Sequence, residues 1–390
     1  MGDLKGQSDW RNLVAACGAI TVFGLAFGMT YPLLSLILES RGVDADMIGL
    51  NSAMMPIGIL LYSSQIPRAS RRFGGRNVAI VAAIATSVLM ISLKIFDDLI
   101  WWFPLRLLMG MSTSTLFVLS EAWIVRFAGS RHRGRVVAIY GSVLAASFGA
   151  GPALIGWIGI DGWMPFVVAS LVILAGVIPL WFVSIARDQS SDDSHVGGIL
   201  IFARKAPLML VVVGVFAVFD AATLSLLPVY GLRTGLDVTL AATALTALIV
   251  GNIFLQLPIG SLADRFSPRP VLLGCAALTG VLAILMPFTM NSVWMWPLLI
   301  LIGASGYGIY TVVLATLGTK FSGEDLVTGS AAFAVMWGIG ALLGSILGGW
   351  SMTLFGPHGL PMLLAVLYLA LFAGLGMTGQ DEKADAGPAQ

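Results

Sequence analysis

Four ionisable residues lie inside long apolar runs of this 390-residue chain, and they are the first place to look for chemistry. Asp220 is near the middle of the run 207–231. Glu121 and Arg106 share the run 100–126, and Lys94 is near the end of 77–96. An ionisable group at the centre of a membrane helix costs about 2.5–3.5 kcal/mol on insertion scales, so each is a functional candidate by default. A carboxyl at Asp220 or Glu121 can take up and release a coupling proton as its surroundings change. The structural alternative for Asp220 is a hydrogen bond to a neighbouring helix. For Glu121 it is an ion pair with Arg72 or Arg76 at a gate. Arg106 is about 22 Å from Glu121 along a helix, so these two do not pair. Arg106 either lines a cavity, attracting an anionic group or tuning a carboxylate, or snorkels past Trp101 and Trp102 to an interface. Lys94 is expected to pair with Asp97 or Asp98.

Neutral polar and aromatic residues within the runs are candidates for a cavity wall: Tyr31, Asn51, Asn252, Gln256, Tyr307, Tyr310 and Trp337. Tyr307 and Tyr310 are three apart and share a helix face, which makes them the best of the set. Pro32 and Pro228 can bend their helices for gating. There is no Walker loop, nucleotide fingerprint, Ser-His-Asp context or zinc-type cluster in a chain with three His and two Cys. No enzyme activity, cofactor, metal or nucleic-acid partner is expected. Cys17 and Cys275 read as small buried hydrophobes.

The elements that must position these residues follow from composition. The chain is 58% hydrophobic and 11% charged, with mean hydropathy +0.93. A soluble domain carries roughly 25% charged residues, so this is an integral membrane protein. Runs of about 20 apolar residues, the length needed to cross the hydrocarbon, number twelve: 12–38, 47–66, 77–96, 100–126, 136–159, 163–186, 207–231, 239–262, 270–290, 293–319, 328–354 and 359–378. The first is too long for a signal-peptide core and is expected to be retained. With both termini cytoplasmic, 17 of the 21 Lys and Arg fall on the cytoplasmic side, as the positive-inside rule requires.

The chain also repeats. Arg72-Phe73 and Arg76 recur as Arg265-Phe266 and Arg269, 193 residues later. Gly42-Val43-Asp44 recurs as Gly235-Leu236-Asp237 at the same offset, and Arg126-Phe127 as Lys320-Phe321 at 194. Two similar halves therefore lie head to tail, at 1–186 and 206–379, joined by a polar cytoplasmic linker at 187–205 and followed by a disordered tail at 380–390. The chain has 46 glycines, conspicuous in spans five (Gly149, Gly151) and eleven (Gly338, Gly340, Gly344, Gly348, Gly349), where small residues let helices approach closely.

Twelve spans in a six-plus-six repeat, with a basic loop between spans two and three copied between eight and nine, resemble the major facilitator superfamily over 11–379. The most specific motif is G-x-L-x-D-R-x-x-x-R, matched by Gly260, Leu262, Asp264, Arg265 and Arg269. In the first half the Gly position is Pro67 and the Asp position is Arg71. The resemblance implies a cytoplasmic gate of Gly260, Asp264, Arg265, Arg269, Arg72 and Arg76. Its carboxylate would face a helix N-terminus, which carries about half a positive charge, a role open to Asp264 but not to Arg71. The basic residues alternatively serve only to set topology. Arg106 with Gly110 fits a fourth-span R-x-x-x-G pattern, and Gly141…Gly151-Pro152…Gly156 approximates a fifth-span pattern of exporters. The run Ser120-Glu121-Ala122-Trp123…Ser130-Arg131-His132-Arg133-Gly134-Arg135 looks most like the YcaD-type branch.

The resemblance implies an all-α integral membrane fold of 12 transmembrane helices in two pseudo-symmetric six-helix bundles. It further implies a monomeric secondary transporter of the inner membrane, working by alternating access on a small organic or amphipathic solute with H+ as coupling ion. Efflux is favoured over uptake by the fifth-span pattern. The alternatives are a proton-coupled importer, a uniporter, or a sensor or lipid-handling protein that transports nothing on the same fold.

Overall fold

The computed structural model describes residues 10–127, 133–182 and 196–385. By contact the chain divides into two units, Met1–Gly42 with Leu50–Asp193, and Val43–Gly49 with Ser194–Gln390. The first half supplies α1 (Trp10–Ser40), α2 (Ala45–Tyr62), α3 (Ile66–Phe73), α4 (Gly75–Ile95), α5 (Leu99–Phe127), α6 (Arg133–Ile158) and α7 (Met164–Ala175). The second supplies α8 (Val196–Lys205), α9 (Pro207–Arg233), α10 (Val238–Phe266), α11 (Pro268–Thr289), α12 (Met295–Lys320), α13 (Gly323–Phe355) and α14 (Gly359–Asp385). No strand occurs among the described residues. Hydrocarbon offers no partner for a free backbone N–H or C=O, so spanning segments must satisfy theirs within a helix. Among the described residues twelve stretches are long and apolar enough to cross a membrane, one for each run expected from the sequence.

The first helix of each half is the most enclosed: 78% of the core of α1 and 89% of that of α9 is buried, against 67% for α12, the next highest. These two helices run through the centre of their bundles. Pro32 and Pro228 both lie within them, and both helices continue past the proline.

The repeat is visible in backbone conformation. Gly42 and Gly235 have φ of 75° and 99°, and Gly162 and Gly356 have 69° and 68°. Gly74, which ends α3, has φ 84° and ψ 132°. Its counterpart 193 residues on is Ser267, the turn between α10 and α11, at φ 75° and ψ 153°. That region is open essentially to glycine alone, so the second half holds a strained serine where the first has a relaxed glycine.

Packing repeats as closely. A Cβ on Gly58 of α2 would stand 2.2 Å from the Leu107 carbonyl oxygen of α5, and one on Gly110 would stand 2.2 Å from the Met55 carbonyl oxygen. At the same offset, Gly251 of α10 faces the Ile300 carbonyl of α12, and Gly303 faces that of Leu248. The close contact expected of spans five and eleven is also present, since Gly151 lies on the Gly28 backbone and Gly344 on the Val218 carbonyl.

Helix extends into the linker and the tail segments. The second part of the 187–205 linker is helix α8, and residues 183–195 lie outside the described residues. The segment Val196–Lys205 is amphipathic. Phe202 is buried against Phe321 (5.1 Å between ring centres), Leu200 and Ile201 are exposed, and Lys205 bridges to Asp325 at 2.9 Å. The tail, expected to be disordered, continues α14 as helix to Asp385.

In the first unit, Arg41 after α1 ties to the turn between α4 and α5. Its Nη2 donates to Asp97 Oδ1 at 2.5 Å, and Lys94 donates to Oδ2 at 3.3 Å, as its position in sequence predicts. Partial desolvation pulls the Asp97 pKa up. The Arg41 contact and then the Lys94 contact pull it further down, for a net shift below the ordinary value. A lowered carboxyl contributes stability above its unfolded value near 4, and loses it as pH falls through the folded value.

Two outcomes follow for thermal unfolding in detergent. Ser267→Gly stabilises the protein by about 1 kcal/mol, because it relieves the backbone strain; an unchanged or lowered midpoint would contradict that account. Asp97→Asn costs less than about 1 kcal/mol at neutral pH, since the pair is largely solvated. The gap between wild type and variant closes as pH is lowered through the carboxylate range.

Candidate functional site

Asp220 is carried by α9, the most enclosed helix, and is buried. Tyr307 of α12 donates its hydroxyl to Asp220 Oδ1 at 2.9 Å, and the Trp337 side chain of α13 lies beside the carboxyl. Aromatic rings close the surroundings. Phe216 stacks on Tyr310 with centroids 4.4 Å apart at 20°, and Phe219 meets Tyr307 edge-on at 82°. Phe219 also contacts Tyr368 of α14, whose hydroxyl donates to the Gly306 carbonyl at 2.8 Å. Asp220 makes no ion pair among the described residues. It is therefore a carboxyl held by neutral donors, with no basic side chain to keep it ionised.

Three of the sequence candidates, Tyr307, Tyr310 and Trp337, thus gather around Asp220. Phe216, Phe219 and Tyr368 were not singled out. Phe216 and Phe219 lie four and one residues before the acid on its own helix, so the signal was present as aromatics flanking a buried carboxylate.

Asn252 and Gln256 form a second, smaller group. The Gln256 amide donates to Asn252 Oδ1 on the next turn of α10, and Thr311 of α12 donates to Gln256 Oε1. Thr311 was also missed, since a threonine in a span commonly bonds its own helix backbone.

In the first unit Arg106 is wholly buried and reaches no surface. Its Nη1 donates to Asn51 Oδ1 of α2 at 3.0 Å, and its guanidinium lies 5.0 Å from the centre of the Tyr31 ring of α1. Arg106, Asn51 and Tyr31 are therefore brought together. Trp102 is buried on the same helix, with its indole donating to the Leu93 and Phe96 carbonyls at 2.9 and 3.0 Å.

Glu121 is exposed near the end of α5 and forms no ion pair with Arg72 or Arg76 among the described residues. The loop arginines are engaged within their own halves. Arg72 lies over Phe73 at 5.2 Å, and its counterpart Arg265 over Phe266 at 5.4 Å. Arg76 lies 5.9 Å from the Trp181 ring, at the end of the sixth span. Its counterpart Arg269 donates to the Leu375 carbonyl of the twelfth span at 2.5 Å. In each half the last arginine of the motif thus holds the following helix to the final span. Gly260 faces open space. The side chain of Asp264, and residues Ser130, Arg131 and His132 of the branch-specific run, lie outside the described residues.

A groove of about 390 Å³ on the second unit, lined by α8, α9, α13 and α14 at residues such as Val211, Met336 and Leu343, is wholly apolar and offers no polar group to a solute.

Comparison with known proteins adds to this geometry. Residues 16–321 and 233–389 match the family model of the Major Facilitator Superfamily. The chain is 27% identical over 372 residues to YfkF of Bacillus subtilis (strain 168), named an uncharacterized MFS-type transporter, covering 91% of this chain and 93% of that one. It is 24% identical over 337 residues to the MFS-type transporter YcaD of Escherichia fergusonii, covering 86% and 87%. Among solved structures, the nucleoside transporter NupG superposes with a TM-score of 0.78 at 11% identity, over 94% of this chain and 98% of that one. A D-xylose-proton symporter superposes at 0.74 and 14% identity, over 95% and 97%. At these identities the structural likeness speaks to the fold.

The Asp220 cluster makes an energetic prediction. Tyr307→Phe removes a buried donor from the carboxyl while keeping the ring contacts, and costs about 1–3 kcal/mol. The thermal midpoint of the purified protein reads this out, and a change under about 0.5 kcal/mol would show that the hydroxyl is not engaged as described.

Proposed function

The chain belongs to the Major Facilitator Superfamily, and on that premise we propose that it is a secondary active transporter in which Asp220 carries the coupling proton. It is a multi-pass membrane protein. It moves a small organic solute by alternating access of two six-helix bundles, with both termini cytoplasmic, and acts as a monomer of the inner membrane. The observation that carries the reading is Asp220 itself: a carboxyl buried on the central helix of its bundle, bonded to Tyr307 with Trp337 beside it, and in no ion pair among the described residues. An ion pair would hold the carboxyl ionised through the cycle. Neutral donors leave it free to change protonation when water reaches it. Glu121 is exposed and is the secondary candidate. Efflux is favoured over uptake by the fifth-span pattern, whose Gly151 also serves packing on the Gly28 backbone.

The test is proton movement into proteoliposomes holding the purified protein, challenged with organic acids, amines, sugars and amphiphiles. A solute that moves protons in wild type is expected to move none in Asp220→Asn, while solute exchange across equal concentrations continues. Glu121→Gln is expected to retain coupling. Proton movement undiminished in Asp220→Asn would remove it from the proton path.

A further inference from the structure

Among the described residues of the first unit, the Arg106 guanidinium leaves two buried nitrogens without a partner. Three helices enclose it, and Arg106 is 0% exposed. Of its nitrogens only Nη1 is satisfied, by Asn51 Oδ1, while Nε and Nη2 have no partner. These two atoms carry the parallel N–H bonds along one side of the guanidinium plane. That edge is the fork that binds both oxygens of a carboxylate or phosphate at once. Other buried groups on the same helices are also unmet. Asn51 Nδ2, a donor, is buried without a partner, as are the hydroxyls of Ser52, next to Asn51 on α2, and of Ser35, one turn beyond Tyr31 on α1.

No acid answers the charge. Arg106 makes no ion pair among the described residues. Within the unit, Asp97 is engaged by Arg41 and Lys94, and Glu121 is about 22 Å away along α5. A buried cation with an open fork and surplus donors is complementary to an anion and to little else. The Asn51 bond pre-sets the plane of the guanidinium, and the Tyr31 ring lies against it, so the fork is held in place before any ligand arrives. Resting on the transport reading above, we propose that Arg106, with Asn51, binds the oxyanion group of the transported solute, which is thus a small organic acid or phosphate ester.

The test is thermal unfolding of the purified full-length protein in detergent at constant ionic strength, with benzoate, phenyl phosphate or uncharged benzamide. Wild type is expected to gain roughly 3 °C or more with benzoate or phenyl phosphate over benzamide. A response to benzoate alone assigns a carboxylate, and one to phenyl phosphate alone a phosphate. Arg106→Gln is expected to lose the response, and its midpoint without ligand to equal or exceed that of wild type, because an uncompensated buried charge is gone. Arg106→Lys keeps the charge without the fork and is expected to retain less than a tenth of the affinity. Asn51→Ala, which leaves the arginine in place, weakens the response. Asp220→Asn keeps the full response even where proton coupling is lost, so failure of this site and failure of the proton assignment read differently. Equal effects of the acids and benzamide, or an acid response undiminished in both Arg106→Gln and Arg106→Lys, would overturn the proposal.

Discussion

Inside hydrocarbon only close contact and polar complementarity hold one helix to another, and in both halves of this protein that contact is backbone laid on backbone. The Gly58–Gly110 and Gly251–Gly303 pairs put α2 on α5 and α10 on α12, at separations no larger residue would allow. Everything else in each bundle is arranged around such seams. They set how far α1 and α9 are enclosed, and so which side chains lose water. They also explain why the repeat is kept at these positions while side chains elsewhere have diverged: a methyl group at any of the four would strike a carbonyl oxygen.

Burial then makes each charged group consequential. Asp220 and Arg106 are solved in opposite ways. The carboxyl is surrounded by neutral donors and rings, a setting in which both protonation states keep a hydrogen bond. The guanidinium cannot shed its charge in a protein and has one bond of the several it could make. The first arrangement suits a proton that comes and goes, and the second an anion that does. Their repeat counterparts share neither feature: Phe27 stands where the second half has Asp220, and Leu299 where the first has Arg106. The symmetry of the scaffold is broken at the sites where chemistry is proposed.

The basic loops show one motif used for packing in both halves. Arg76 and Arg269 occupy equivalent places and reach the end of the last span of their own half, one through an aromatic ring and the other through a backbone carbonyl. Ser267 adds a contrast, since the second loop keeps the conformation of Gly74 without keeping the glycine.

Much of the fold was legible in the residues because its causes are local. Twelve apolar runs of spanning length become twelve spans, and Gly42 and Gly235, matched by sequence, share a left-handed conformation. Helix α8 was hidden because a run of Ser and Asp before it, and Gly197-Gly198 in its first turn, read as linker, while its own apolar face matters only once Phe202 finds Phe321. The site was half legible. Buried charges in apolar runs can be read off a sequence, since their cost does not depend on who their neighbours are, and this picked out Asp220 and Arg106. Their partners lie 50 to 120 residues away on other helices, and helix rotation decides which of many polar residues face them. Only the tertiary structure placed Tyr307 and Trp337 on Asp220 and Asn51 on Arg106, and left the arginine fork open, because hydrogen bonding depends on ångström distances that residue spacing does not encode.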